Sequence, residues 1–471
     1  MADTLTLNED RFFDSDPSIR KIARELYAHV RDLPIVSPHG HIDPGIFADN
    51  RPFPNPAELI IIPDHYIFRM LYSQGIELES LGIPRVGSRN TITDSRKIWQ
   101  LFCDNYYLFS GTPTGVWLTH ELSVVFGIDE KPSSDSAMRI YNQISEKLET
   151  PEFLPRAMFD SFNIEVLTTT DAATDTLENH TIIKESGWNG KIIPCLRPDN
   201  VVNLTAPNWA ENIETMGALS GIEIDSYQKF ITALEDRREF FISMGATSTD
   251  QGVLSPCTHQ LTDSEAERLF EKALKNEATD QDAFFFNAHM LMEMARMSIE
   301  DGLVMQIHPG SVRNHNKDIF SKFGPDMGCD IPVQTEYTKN MFELLNKYGT
   351  NPKLSLIVFT LDESSYSREL APLAGHYPAM KLGPSWWFHD SIEGMKRFRE
   401  QTTETAGIYN TVGFNDDTRA LPSIPARHDL SRRVDSNYLA GLVARHIIDM
   451  DDALRMIKAL AYDLAKTSYK L

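Results

Sequence analysis

The chain has 471 residues, 41% of them hydrophobic and 24% charged, which suits a packed globular protein of two or three domains or one large barrel with insertions. With 45 basic against 67 acidic residues the net charge is −22, which opposes binding to nucleic acid or an anionic membrane. No apolar run reaches the roughly 18 to 20 residues of a membrane span. The first residues, MADTLTLNEDRFF, lack a signal-peptide core, so a cytoplasmic location is expected.

In chain order, the first element is a strand in LPIVSPHGHIDP, positions 33–44. In extended backbone residues i and i+2 share a face, so His39 and His41 can offer two imidazoles to one ion. More than a hundred residues follow before the next strand, rich in helical and aromatic segments, and they read as a helical insertion over 50–155. From about position 160 short apolar runs alternate with amphipathic segments: FNIEVLTTTD, GKIIPCLRPD, MGATSTDQG, GLVMQIHPG, KLSLIVFTLD, AMKLGPSWWF and YNTVGFNDD. Each run ends in polar residues, the pattern of a strand buried on both faces. Helices are expected between them at SEAERLFEKALKN, QTEYTKNMFELLNKYG and SIEGMKRFREQTTETAG. Eight strands with helical crossovers predict an α/β fold, a (β/α)8 TIM barrel built from 1–49 and 156–471, with the insertion after strand 1 at its mouth. Cys103, Cys195, Cys257 and Cys329 lie far apart with no CxxC pair and read as buried, reduced thiols.

Four candidate metal ligands fall at strand ends, where barrel enzymes carry their chemistry: His39 and His41 on strand one, His308 on strand five and Asp417 on strand eight. Imidazoles with a carboxylate suit Zn²⁺, or Mn²⁺ and Fe²⁺ in a more open site. This set resembles the amidohydrolase superfamily. The segments SPHGHIDP, PDHYIFRML, LTTTD, LRPD, MQIHPGSVRNHN, DMGCDIP, LGPSWWFHDSIEGM and VGFNDDTRALPSIPARHDLSRR resemble its uronate isomerase (glucuronate isomerase) branch across nearly the whole chain.

The resemblance implies an aldose-ketose isomerase that interconverts hexuronates, D-glucuronate with D-fructuronate and D-galacturonate with D-tagaturonate. It also implies one divalent ion, usually zinc, held by His39, His41 and Asp417 with His308 near. Such a reaction moves a proton between C2 and C1 and needs an electrophile for the charge on oxygen. Asp417 and Tyr66, in DHYIFR, are the candidate proton carriers, and His65 beside Tyr66 is placed to orient substrate or relay a proton. Read on pattern alone, DHYIFRMLY is an amphipathic helix capped by Asp64.

The uronate carboxylate calls for a bidentate guanidinium, with Arg69, Arg197, Arg313 and Arg419 as candidates, Arg419 and Arg197 foremost. Each could instead be a structural partner of a nearby aspartate. Trp386 and Trp387 end strand seven, one filling the barrel and the other lining the sugar site. Many family members carry Asp-His on strand four, whereas this chain has Asp250 followed by Gln251, which cannot titrate. Ser37 stands where other members have Asp. Two rival readings are a metal-dependent hydrolase of a sugar-acid lactone or amide, and a non-catalytic uronate-binding barrel. The expected partner is a small-molecule hexuronate, with homo-oligomer formation left open.

Overall fold

The protein is described from a computed structural model covering residues 4–88 and 94–471. Residues 89–93 of the expected insertion, and residues 1–3, lie outside the described residues. In chain order the strands are β1 (Ile35–Ser37), β2 (Ile164–Thr168), β3 (Asp171–Ala172), β4 (Ile192–Ile193), β5 (Leu196–Arg197), β6 (Ser248–Val253) and β7 (Val304–Pro309). They continue with β8 (Ser311–Val312), β9 (Ile331–Pro332), β10 (Leu356–Val358) and β11 (Met380–Leu382).

All pairings but one are parallel: β1 with β2, β2 with β4, β3 with β5, β5 with β6, β6 with β7, β7 with β10, and β10 with β11. Among the described strands the exception is the short antiparallel β8–β9 pair, joined through the helix Lys317–Phe323. β2 and β3 are two halves of the expected second strand, and β4 and β5 of the third. The amides of Thr169 and Asp171 carry the ladder across the breaks, each 2.9 Å from the carbonyl of Ile193 or Cys195. The expected strands therefore lie side by side in chain order.

The eighth strand is less regular than its alternation predicts. Only Thr411 bridges to Leu382 of β11, because Gly413 at φ +80° and Asp417 at φ +43° leave the extended region. It still touches both neighbours: Val412 N–H donates to Leu382 (3.0 Å), Asp417 N–H to His39 (3.3 Å) and His41 N–H to Thr418 (2.9 Å). That order, from one to eight and back to one, is the connectivity of a (β/α)8 barrel.

Burial on both faces explains the apolar strands; all six residues of β7 are buried. Met305, Ile307, Leu356, Val358, Met380 and Leu382 share one cluster with Phe230, Phe270, Phe286 and Phe398 of the outer helices. Thr262 and Thr279 close capping boxes at the starts of two of these helices, Asp263–Leu274 and Asp280–Asp301. The helix Ile392–Ala406 forms as expected, from Ser391 to Gly407. QTEYTKNMFELLNKYG is helical only at Phe342–Tyr348. Its first half is held by carboxylates instead: Tyr337 and Thr338 N–H both donate to Glu369 at 2.7 Å, and Thr335 N–H to Asp362 at 3.1 Å.

Between β1 and β2 the helices Ser95–Asp104, Pro113–His120 and Ala137–Leu148 enclose a cluster that includes Ile60, Trp99, Phe102, Phe126 and Ile140. The cluster also takes Ile319 and Phe323 from the helix Lys317–Phe323. One short helix places the site. His65–Tyr72 buries Ile67, Phe68 and Leu71 in this cluster, while its Tyr66 joins a second cluster with Trp386 and Trp387 of the barrel. All four cysteines are free, but only Cys103 and Cys195 are buried; Cys257 and Cys329 are half-buried. Among the described residues no helix is long and apolar enough to cross a membrane.

Candidate active site

β1 ends at Ser37, and the chain runs on to place His39 and His41 at the barrel rim. Their Nε2 atoms lie 3.5 and 3.2 Å from Oδ1 of Asp417, whose Oδ2 accepts from Trp386 Nε1 at 2.6 Å. Asp417 adopts a left-handed backbone rarely used by residues other than glycine, asparagine and aspartate, a form of strain typical of functional positions. Burial alone would raise its carboxyl, but the His39 and His41 imidazoles outweigh burial and hold it well below the usual carboxylate range.

Behind this triad lies a second one. Asp250 on β6 is fully buried and meets the guanidinium of Arg197 on β5 and, at 2.5 Å, Nδ1 of His308 on β7. The His308 ring stacks on Phe359 (3.8 Å between centroids) and on His39 (4.7 Å). Burial pushes the His308 imidazole down to about 4, despite Asp250, so the ring is neutral and donates its one N–H to that carboxylate. Burial works to raise Asp250, and Arg197 and His308 reverse it to a value well below normal.

Gln251 alternates to the other face of β6 and donates to Thr249 Oγ1 at 2.8 Å. It is not among the residues that line the cleft.

The cleft above Asp417 encloses about 720 Å³ of space, counting its open mouth. His39, His41 and Asp417 line it together with His65 and Tyr66 of the helix His65–Tyr72. Trp386 and Trp387 both reach the wall, so the sequence expectation that one of them fills the barrel is only half of their role. Trp386 also packs on His308, at 4.6 Å between centroids.

Arg197, Arg313 and Arg419 line the cleft too, each with a carboxylate partner. Arg313 holds the buried Asp330 at 2.8 Å and lies over the Trp387 ring, and Arg419 is 3.1 Å from Asp326. Three expected residues stand off the wall: Asp250 and His308 lie beneath it, and Arg69 sits over the Phe388 ring, 5.2 Å from its centroid. Sequence reasoning passed over Asp326, Asp330 and Arg427, all of which line the cleft, although each falls in a segment carrying the family resemblance.

Burial keeps His65 neutral, lowering it to about 3, and raises the Tyr66 phenol well above its ordinary value. A buried carboxyl of the insertion, Glu121, is pushed up to about 8 from 4.5 by burial and then by Asp64, with Arg427 opposing. The folded chain thus keeps a proton that the unfolded chain loses. The group's contribution to stability is intact below pH 4.5 and declines as pH climbs to about 8. Glu121→Gln should therefore raise the melting temperature over wild type at pH 8 and leave it unchanged at pH 4.5; a difference independent of pH in thermal scans would reject this account of Glu121.

Among the described residues, two groups of side chains have ligand atoms close enough together to hold a cation, His39–His41–Asp417 and His39–Asp250–His308, all within 4.8 Å of one another in each group. Their chemistry fits a borderline divalent ion. Oδ1 of Asp417, Nδ1 of His39 and Nε2 of His308 are also buried and make no hydrogen bond within the protein. Such orphaned acceptors are rare in packed interiors and expected where an ion completes the site.

The chain is 55% identical over 466 residues to a uronate isomerase of Nostoc punctiforme, covering 99% of this chain and 98% of that one. It is 54% identical over 467 residues to the uronate isomerase of Brucella canis, covering 99% and 100%. The glucuronate isomerase crystal structure from Caulobacter crescentus superposes with a TM-score of 0.98 at 52% identity, over 99% of this chain and 97% of that one. The uronate isomerase crystal structure from Thermotoga maritima gives 0.91 at 28%, over 98% and 99%. The sequence pattern of glucuronate isomerases runs through residues 7–469, and with the paired histidines and distant aspartate meeting at one barrel rim, the chain belongs to the glucuronate isomerase family.

Proposed function

We propose that the protein interconverts aldose and ketose hexuronates, D-glucuronate with D-fructuronate and D-galacturonate with D-tagaturonate, through a cis-enediol. The observation that carries this is the cleft that Asp417, with its two imidazoles, shares with Tyr66 and His65. His39, His41 and Asp417 would hold one divalent ion near His308, zinc first and Mn²⁺ or Fe²⁺ as alternatives, supplying Lewis acidity for the substrate oxygens.

The ionisation states divide the proton work between two residues. Asp417, held ionised, takes the proton from C2 and returns it to C1. Tyr66, held as a neutral phenol, gives its proton to the carbonyl oxygen at C1 and regains one from the C2 hydroxyl as the ketone forms. Neutral His65 beside it orients the substrate hydroxyls. Trp386 fixes the Asp417 carboxylate through Oδ2, and Trp387 gives the sugar chain an apolar wall.

For the substrate carboxylate, Arg419 is the most available guanidinium. Its partner Asp326 is 44% exposed, whereas Arg197 serves the fully buried Asp250 and Arg313 serves the buried Asp330. Arg197 then supports the clamp from the side of the second triad, and residues 50–155 act as a subdomain that brings the acid, Tyr66, to the barrel.

Proton NMR of D-glucuronate in D₂O tests this reading. Metal-replete protein should form ketose, any deuterium at C1 marking exchange of the Asp417 proton with solvent before its return; a strong chelator should stop it, and Zn²⁺ or Mn²⁺ should restore it. Lactone hydrolysis without isomerisation, or binding without turnover, would reject the proposal.

A further inference from the structure

Arg427 has no part in the proton transfers above, yet it is buried to 1% exposure at the point where the insertion meets the barrel. It belongs to the helix Ser423–Ala444, which follows the eighth segment. Its guanidinium carbon lies 3.6 Å from the Trp117 ring centroid and 5.3 Å from that of Tyr66, both from the insertion. These two rings meet edge to face at 5.5 Å.

On the barrel side, Nη1 donates to Asp390 Oδ2 at 2.7 Å and to the backbone carbonyl of Asp416 at 2.9 Å, and Nε donates to Ser423 Oγ at 3.0 Å. The Asp416 carbonyl belongs to the peptide whose N–H, that of Asp417, donates to His39. One peptide is thus gripped on both sides just ahead of the strained Asp417. A planar, permanently charged group with separated donors suits this place, and an ammonium does not.

We infer that Arg427 is a positioning residue for the isomerisation: it seats the Tyr66 ring at the cleft and the Asp416–Asp417 peptide behind it, and its charge lies next to the phenolate that Tyr66 becomes when it gives up its proton. This rests on the reading of Tyr66 as the proton donor. The guanidinium is also the charge that opposes burial at Tyr66, while Asp417, Asp390 and Asp64 act the other way. Arg427 reaches the cleft wall, but its Nη1 and Nε donors are taken by Asp390, Asp416 and Ser423, so its loss should appear in kcat rather than in KM.

The test uses Arg427→Lys and the double variant Arg427→Met/Asp390→Asn, which removes the guanidinium together with the carboxylate it pairs with. Folding and bound metal are checked by melting and by metal analysis. The double variant should keep its ion, hold KM within about threefold and lose kcat by about 100-fold, the scale of a misplaced catalytic group. Arg427→Lys should lose about tenfold with KM unchanged, because it keeps the charge but not the planar fork. In a Tyr66→Phe background the same substitutions should cost clearly less than in wild type, since the phenol, one of the two groups they act through, is already gone.

A kcat within threefold of wild type in either folded variant, or a full further loss on top of Tyr66→Phe, would overturn the inference. Should the double variant not fold, the lysine variant alone decides. Unimpaired Tyr66→Phe removes the reading beneath the inference; impaired Tyr66→Phe with unimpaired Arg427 variants removes the inference alone.

Discussion

Asp417→Asn should lower kcat by at least about 10³-fold while the melting temperature stays near wild type. The side chain is asked for two things, an ionised oxygen facing the His39 and His41 imidazoles and a second oxygen accepting from Trp386. Asparagine keeps a single oxygen, so whichever partner it serves, the other faces an amide nitrogen that neither takes a proton nor binds a cation. The backbone argument makes this substitution a clean one. At φ +43° asparagine is among the few residues that fit without added strain, whereas alanine would unsettle the turn as well as the chemistry. Steady-state kinetics with metal analysis and a thermal scan check it. A variant that turns over near the normal rate would take Asp417 out of the mechanism.

Arg419→Met should raise KM for a hexuronate by about 100-fold, the size of one lost charge-assisted pairing of about 3 kcal/mol. A neutral aldose of the same length should feel little of it. The fold should be indifferent, because the Arg419–Asp326 pair is exposed on both sides, where ion pairs add little stability and a freed carboxylate is hydrated. Equal effects on charged and neutral substrates would move the clamp to Arg197 or Arg313.

Strand ends are the most legible feature of this sequence, because a run buried on both faces must stop being apolar where it reaches the rim. His39, His41, His308 and Asp417 could be named for that reason. What strand alternation does not convey is depth. Asp250 and Asp417 both fall toward the polar ends of strand segments, yet one lies beneath the cleft wall and the other forms part of it. Tyr66 and Arg69 share a helix, but the second sits about 4.5 Å further along its axis, with the Gly328 turn packed against it.

The half-formed helix before Phe342 was hidden because its amides are satisfied by Asp362 and Glu369, acids that follow it in the chain and belong to no local pattern. Arg427 was hidden for a similar reason. An arginine in a helix reads as a solvated face, and only the tryptophan supplied from far upstream at position 117 turns it into an interior cation.

The helix His65–Tyr72 has its two sides anchored in different hydrophobic clusters, one drawn mainly from residues 57–148 with Ile319 and Phe323, the other from the strand ends with Trp117. The gap between the phenol and the base is therefore set by how two packed clusters meet rather than by the packing inside either of them. Warming that loosens this seam would silence turnover while both interiors remain intact, so the working range of the catalyst is narrower than the survival range of its fold.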